Sequence, residues 1–155
     1  MQISIFGSAS PKPGDPVYEQ AREFGFLLGK AGHTILTGGY AGTMEGASRG
    51  AAEAGAHVIG VTCSELEALR GSHANSWVKE EWHYETLRER LYALVDHCDA
   101  AIALPGGVGT LNEICAFWNQ LVITPAQRTR DLILVGSGWR RVIQSLFDEQ
   151  GAHIH

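Results

Sequence analysis

A glycine-rich segment that ends in a carboxylate is the part of the chain best suited to chemistry. Residues 105–113 read PGGVGTLNE and follow the apolar run AAIAL. Glycines let the backbone approach a ligand, and the first N–H groups of a helix carry a partial positive charge. Phosphate is an anion that such a helix start binds. The pattern predicts a phosphate site at Gly106, Gly107, Gly109 and Thr110, with Glu113 beside it.

Two other segments rich in small residues also lie between a predicted strand and a predicted helix. They are FGSAS at 6–10 and TGGYAGTME at 37–45. In a parallel sheet such junctions share the carboxyl edge, where open α/β sheets bind ligands. Neither loop reads G-x-G-x-x-G, and no P-loop signature is present. We expect a bound nucleotide or sugar phosphate; the alternative is that the glycines only pack helices tightly on the sheet.

Glu113 and two arginines are the candidate side chains for the chemistry. The segment TLNE that ends at Glu113 also fits a capping box, so a structural and a catalytic role are both open. Glu45 and Asn112 have weaker claims as first-turn neighbours. Arg88 and Arg90 flank the apolar stripe of a predicted helix on opposite sides. Either is placed to clamp a phosphate; the alternative for each is a solvated surface residue, the commoner case on an amphipathic helix. Periodicity does not choose between them.

Apolar strands alternate with helices along the whole chain. Strands are predicted at 2–7, 33–37, 57–62, 100–105 and 131–136, and helices at 17–32, 43–55, 80–98, 110–123 and 139–150. Residues 63–79 show no clear period and are predicted to be a mobile loop or an irregular insertion. Short continuous apolar strands are typical of strands covered on both faces. The pattern predicts an α/β fold: a single Rossmann-like domain over 1–155, with a mostly parallel open sheet and helices on both faces.

Composition excludes several classes of partner. The net charge is −5, from 12 Lys+Arg and 17 Asp+Glu, whereas binding to nucleic acid needs a basic surface. The cysteines are scattered and lack zinc spacing, so we expect reduced, mostly buried thiols and no metal site. No signal-peptide pattern precedes the first strand, and no apolar run approaches the ~20 residues of a membrane span. We therefore expect a cytoplasmic protein that binds neither nucleic acid nor membrane.

Two long stretches resemble one family. TGGYAGTMEGASRGA at 37–51 and LRERLYALVDHCDAAIALPGGVGTLNEI at 87–114 are similar to the LOG ("lonely guy") family, also labelled "possible lysine decarboxylase". The resemblance covers the chain from its first strand to about Trp139. It implies a phosphoribohydrolase that splits a nucleoside 5′-monophosphate into a free base, such as a cytokinin or adenine, and ribose 5-phosphate. It further implies no cofactor, and a homodimer or higher homo-oligomer with the site near the interface.

The resemblance also assigns roles to residues. The family motif P-G-G-x-G-T-x-x-E is complete here and implies that Glu113 is catalytic. The family's second catalytic residue is an arginine one helix earlier, and counting back from Pro105 places it at Arg90. The first family loop implies binding by Gly7 and Ser8. The second implies binding by Gly38, Gly39 and Gly42, followed by Met44.

Two departures from the family favour a second function. The dipeptide Arg90-Leu91 stands where cytokinin-activating members usually have Arg-Lys, and Thr37 precedes the glycines of the second loop where they have a third glycine. In this the chain resembles a smaller sister group that includes molybdenum-cofactor carrier proteins. The alternative is therefore a non-catalytic carrier or sensor of a phosphorylated small molecule, such as a nucleotide or the molybdenum cofactor.

Genuine lysine decarboxylation is not expected, because the familiar enzymes hold pyridoxal phosphate on a lysine. None of the chain's lysines lies at a strand end beside the glycine loops; they are Lys12, Lys30 and Lys79.

Overall fold

One parallel sheet of six strands, in the order β4-β3-β2-β1-β5-β6, organises the molecule. The computed structural model describes residues 1–123 and 130–154. The strands are β1 Gln2–Phe6, β2 Thr34–Thr37, β3 Val58–Cys63, β4 Glu80–Tyr84, β5 Ala100–Ala103 and β6 Asp131–Leu134. The helices are α1 Pro16–Lys30, α2 Thr43–Glu53, α3 Ser64–Arg70, α4 Leu87–Asp96, α5 Val108–Ile123 and α6 Ser137–Gln150, followed by a 3₁₀ turn at Gly151–His153. The predicted α/β fold with a parallel sheet is confirmed.

The strand order reverses between β1 and β5. The chain winds outward from β1 to β4, then returns to place β5 beside β1. Phe6 pairs with Ala103 in this register, so both strands end at the same level. The loops that follow them must separate to reach their helices, and this separation opens a crevice at the carboxyl edge, where sheets of this kind bind ligands.

Apolar side chains fill both faces of the sheet, as predicted. Ile3 and Ile5 of β1 pack with Ala47 and Ala51 of α2 on one face. Phe6, the next residue, points to the opposite face, where α4 and α5 contribute Leu94 and Phe117 to a second apolar cluster. Among the described residues, no helix has the length and hydropathy needed to cross a bilayer.

Helices α1 and α2 pack closely through glycines. A Cβ atom on Gly25 would lie 2.1 Å from the Ala47 carbonyl oxygen, and one on Gly50 would lie 1.8 Å from the Arg22 carbonyl oxygen. Real Cβ atoms do not come this close to backbone atoms, so these glycines are required by packing. These two glycines lie inside helices, so they do not test the packing alternative stated for the loop glycines.

The predicted helix at 80–98 is wrong in its first part. Glu80–Tyr84 is strand β4, which pairs with β3 along its whole length. Trp82 packs against the core while its neighbours in sequence are exposed, which is the alternation of an edge strand. The helix begins only after Thr86, whose hydroxyl accepts from the Glu89 N–H at 3.2 Å in a capping box.

The prediction of a loop or irregular insertion at 63–79 is also wrong in part. Ser64–Arg70 forms α3, which has no buried residue and hence no apolar stripe to recognise. Asn75 then fastens the segment to the second glycine loop. Its side-chain amide donates to the carbonyls of Gly39 and Tyr40 at 2.9 and 3.0 Å, and its backbone N–H donates to Gly39 at 2.7 Å.

Candidate active site

A pocket of about 400 Å³ occupies the crevice between β1 and β5. Its walls come from the loops after these strands, the first turn of α5, and helices α3 and α4. The predicted site residues that line it are Gly7, Ser8, Arg90, Gly107, Gly109, Thr110 and Glu113. The other predicted residues, namely Gly38, Gly39, Gly42, Met44 and Gly106, do not line this pocket. The structure thus brings the predicted catalytic pair together in one cavity.

Arg90 is held rigidly at the base of the pocket. Its Nε donates to the Val61 carbonyl at 2.7 Å and its Nη2 donates to the Gly38 carbonyl at 3.0 Å. The guanidinium carbon also lies 5.6 Å from the centre of the Tyr40 ring, a cation–π distance. Only 5% of Arg90 is exposed, whereas Arg88 lies on the surface. Periodicity left open whether Arg88 or Arg90 faces the pocket. The orientation of α4 places Arg90 over the sheet and Arg88 at the surface.

Glu113 faces the free side of Arg90. Its Oε1 lies 3.9 Å from Arg90 Nη1, and 13% of its side chain is exposed. Burial raises the pKa of Glu113 to about 7, although the positive charge of Arg90 acts to lower it. The carboxyl group is therefore poised to exchange a proton near neutral pH.

The first turn of α5 presents backbone N–H groups to the pocket. The helix begins at Val108, so Thr110 is not an N-cap and Glu113 does not take part in a capping box. The Leu111 N–H donates to the Gly107 carbonyl at 3.0 Å, which is the first bond of the helix. The N–H groups of the three residues before Leu111 therefore have no acceptor within the helix and are available to an anion.

Gly107 and Gly109 are not explained by packing. A Cβ atom on either would meet nothing within 4 Å, and neither has a positive φ. Their lack of side chains keeps the backbone open to the pocket, as close approach by a ligand requires. Gly106 differs, because its Cβ would lie 2.2 Å from the Thr110 hydroxyl. In the same loop, then, Gly106 is required by a close contact, whereas Gly107 and Gly109 line the pocket with open space at their Cβ positions.

The second glycine loop lies behind the pocket and positions Arg90. A Cβ atom on Gly38 would lie 1.9 Å from Arg90 Nη2. The Gly39 N–H donates to the Thr37 hydroxyl at 3.1 Å, and Met44 Sδ lies 3.9 Å from Arg90 Nη2. Direct ligand binding by Gly38, Gly39, Gly42 and Met44 stays a prediction; what the structure shows is support of the arginine and of the first loop.

The first loop is fastened to both of the others. The Ser8 carbonyl accepts from the Thr43 N–H at 2.9 Å and from the Thr43 hydroxyl at 3.0 Å. The Ser8 N–H donates to the Pro105 carbonyl at 3.3 Å. Gly42 has a φ of 73° and leaves no room for a Cβ, which would lie 2.2 Å from the Ser8 carbonyl oxygen. Hydrogen bonds therefore join the three loops into one connected layer.

Sequence reasoning missed several residues that line the pocket: Tyr40, Leu66, Arg70 and Leu87. Tyr40 is buried, and its hydroxyl accepts from the Cys63 N–H at 2.9 Å. It lies within GGYAGT, so its position between two glycines was an available signal. Leu66 and Arg70 belong to α3, where no periodicity marks a buried face.

Comparison with known proteins agrees with this fold and these motifs. The model of the SLOG cluster4 family matches residues 1–140. The chain belongs to the SLOG cluster4 family. It is also 33% identical over 119 residues to the cytokinin riboside 5′-monophosphate phosphoribohydrolase of Mycobacterium tuberculosis, covering 75% of this chain and 61% of that protein. A phosphoribohydrolase of the same name from Arabidopsis thaliana is 32% identical over 131 residues, covering 79% and 54%.

The chain thus spans between about half and three fifths of the length of these relatives. The resemblance to LOG proteins that the motifs indicated is confirmed.

Among solved structures, the molybdenum cofactor binding protein of Rippkaea orientalis matches with a TM-score of 0.73 at 24% identity, covering 96% of this chain and 85% of that one. The Moco carrier protein of Chlamydomonas reinhardtii matches with a TM-score of 0.69 at 24% identity, covering 94% and 83%. At these identities the likeness is one of fold.

Proposed function

We propose that the protein is a nucleoside 5′-monophosphate phosphoribohydrolase, which hydrolyses an N-glycosidic bond to release a free base and ribose 5-phosphate. The observation that carries the proposal is the Glu113 carboxyl group, with a pKa of about 7, facing Arg90 at 3.9 Å inside the pocket. The relatives that bear this activity in their names support it.

The open helix start and the glutamate are separated by a distance that suits a nucleotide. The phosphate would sit on the N–H groups of Gly109 and Thr110, where the helix dipole favours negative charge. Glu113 lies on the next turn of α5, about 5.4 Å further along the helix axis. A phosphate at the first turn therefore brings the attached ribose beside the carboxylate.

Hydrolysis breaks the bond between C1′ and the base nitrogen, and the electron pair leaves with the base. The sugar becomes oxocarbenium-like, and the nearby Glu113 carboxylate stabilises its positive charge. Water then bonds to C1′ and gives up a proton, while the base gains one; Glu113 orients this water. Arg90 holds the ribose or the phosphate, or assists the leaving base.

Incubation of the purified protein with AMP and related nucleoside monophosphates tests the proposal, with free base and ribose 5-phosphate measured by chromatography. We expect base release that is lost in Glu113→Gln. The exposed neighbour Asn112 supplies a control, since Asn112→Ala removes a side chain from the same helical turn. Turnover retained by Glu113→Gln, or no turnover of any monophosphate by the wild-type protein, would contradict the proposal.

The alternative function is a carrier or sensor that binds a phosphorylated small molecule and releases it unchanged. One observation favours it: Leu91, which replaces the usual lysine, is half-buried and packs against the apolar cluster, so the position after Arg90 offers no cation. The fold shared with molybdenum-cofactor proteins is in keeping with it. Calorimetric binding of AMP, or of a phosphorylated pterin, without any product would establish this function instead.

We also propose a homodimer or higher homo-oligomer, as the family resemblance implies. Apolar side chains are exposed on the two helices beside the pocket: Tyr92 of α4 is 45% exposed, and Val122 and Ile123 of α5 are 51% and 65% exposed. Such side chains at the surface are suited to an interface with a second copy. Sedimentation velocity should give a mass of at least twice 16.8 kDa, and a monomer at all concentrations would contradict this.

A further inference from the structure

A cluster of metal-ligating side chains lies outside the pocket, between α3 and the edge strand β4. Glu67 of α3 meets Glu81 and His83 of β4, and one ligand atom from each lies within 4.8 Å of the others. We propose that this Glu67–Glu81–His83 cluster binds a divalent transition metal ion, with zinc as the preferred ion.

The spacing of the three donor atoms is close to what zinc needs. His83 Nδ1 lies 3.7 Å from Glu67 Oε1 and 3.9 Å from Glu81 Oε1. Tetrahedral zinc, with bonds of 2.0–2.2 Å, places neighbouring donors about 3.4 Å apart. The side chains of Glu81 and His83 are 41% and 42% exposed, so they have room for the small rotations that close the difference.

Each ring nitrogen of His83 lies at hydrogen-bond distance from a hydroxyl group. The Ser64 hydroxyl lies 3.0 Å from Nε2, where it can accept the ring proton. The Thr62 hydroxyl donates to Glu81 at 2.5 Å, so its oxygen faces Nδ1, 3.0 Å away, as an acceptor. This arrangement favours the tautomer with the proton on Nδ1. A metal ion at Nδ1 would replace that proton, and Nε2–H would then donate to Ser64, the usual support of a metal-binding histidine.

The two carboxylates lack a fixed cation. Within 1–123 and 130–154, only histidines form ion pairs with Glu67 or Glu81. Glu53, by contrast, is bound by both Arg22 and Arg49. Glu67 is only 18% exposed and lies beside a second carboxylate, that of Glu81. A metal ion would compensate both charges.

A fourth ligand is within reach. His73 follows α3, and its Nδ1 lies 3.8 Å from Glu67 Oε2. Its side chain is 85% exposed, so it is free to turn toward the metal, and water would complete the shell otherwise. A donor set with imidazole nitrogen suits zinc better than magnesium or calcium, which prefer oxygen ligands throughout.

A metal here would fasten one wall of the pocket. Glu67 lies on α3 between the pocket residues Leu66 and Arg70. Its Oε1 lies 3.5 Å from the Tyr40 hydroxyl, which donates to the Cys63 carbonyl at 3.2 Å. Binding of Glu67 and of the two β4 residues to one ion would tie α3 to the edge strand. The site is thus structural, and it does not depend on the proposed hydrolysis.

The test is calorimetric titration of the full chain, without an affinity tag, with Zn²⁺, together with the visible spectrum of the Co²⁺ form. We expect one ion per chain and the visible bands of four-coordinate cobalt. His83→Ala and the near-isosteric Glu81→Gln should each weaken binding at least tenfold. The matched control is His57→Ala, because His57 forms a similar exposed pair with Glu80 at 2.7 Å and should not affect binding.

A second control, His153→Ala, removes a histidine near the end of the chain. Circular dichroism checks that each variant is folded. If His83→Ala does not fold, Glu81→Gln still tests the site, because the Glu81 side chain is 41% exposed and its replacement should not unfold the protein. The proposal is overturned if the wild-type protein binds no Zn²⁺, if both cluster variants keep wild-type affinity, or if His57→Ala or His153→Ala reduces binding as much as they do.

Discussion

Glycines fill two regions of this molecule for opposite reasons. At the contact between α1 and α2, a Cβ on Gly25, Gly46 or Gly50 would lie 2.1, 2.7 or 1.8 Å from backbone oxygen of the facing helix. At the start of α5, a Cβ on Gly107 or Gly109 would meet nothing within 4 Å. The first region has glycine because no side chain fits, and the second has glycine although a side chain would fit.

The glycines between α1 and α2 are explained by the stability of the fold, whereas those at the start of α5 are not. Close helix packing contributes to the folded state, whereas an open backbone at a helix start contributes nothing to packing and lowers helix propensity. The second region also buries the Glu113 carboxyl group beside Arg90. At Gly109, inside the first turn, alanine would be the better helix former, and an open backbone kept in its place is typical of a functional site.

Gly50→Ala should have the largest effect. The new methyl group would overlap the Arg22 carbonyl, which lies in the backbone of α1 and cannot move away by rotation. We expect a loss of about 3 kcal/mol in the free energy of unfolding, the upper range for overpacking a tight contact. Urea denaturation measures it. An unchanged midpoint would show that the helices are not held at this distance.

The buried carboxyl group of Glu113 should make stability depend on pH. Its pKa is raised from 4.5 to about 7 in the folded state, so the folded protein binds the proton more tightly than the unfolded chain. Its contribution is fully present below pH 4.5 and is lost as the pH rises through about 7. The full difference is of the order of 3 kcal/mol.

Urea denaturation between pH 4.5 and 8 measures this dependence, with Glu113→Gln as the control. The wild-type protein should lose stability relative to the variant as the pH rises. If the stability of the two proteins changed with pH in the same way, Glu113 would have an ordinary pKa, and the start of α5 would not hold a perturbed carboxyl group.

Gly109→Ala should weaken ligand binding without loss of stability, whereas Gly50→Ala should reduce stability. Stability should stay the same or rise by up to about 1 kcal/mol, because alanine is the better helix former. The methyl group would keep a phosphate from the backbone N–H groups, and we expect AMP affinity to fall about tenfold, or about 1.4 kcal/mol.

Calorimetry measures the AMP affinity of the Gly109 variant. Gly138→Ala is its matched control, because Gly138 also lies in the first turn of a helix, has open space at its Cβ and does not line the pocket. Equal AMP affinity for wild-type and Gly109→Ala protein would show that the open glycine has no role in binding.

The fold and the three loops could be predicted from sequence because the apolar strands and the small-residue junctions alternate regularly. The choice of Arg90 could not be made from the residues alone. It depends on which side of α4 faces the sheet edge, where Arg90 reaches the carbonyls of Val61 and Gly38, and no local pattern gives that orientation. The resemblance supplied the right position without giving the reason.

The Glu67 cluster could not be predicted for a related reason. Glu81 and His83 share a face only if the segment is a strand, where every second residue points the same way. In a helix the two side chains would point to different sides. The third residue, Glu67, comes from a helix without an apolar stripe, so no local pattern brings it to the same place.

The pH profile of kcat/KM for AMP hydrolysis tests the central claim most directly. The ionised carboxylate is the form that stabilises the sugar cation, so activity should rise with pH and level off above a midpoint near 7, the pKa of Glu113. Glu113→Gln should lose at least 100-fold in kcat at all pH values. A profile that is flat from pH 5 to 9, or a Gln variant with wild-type turnover, would contradict the assignment of this carboxylate as the catalytic group.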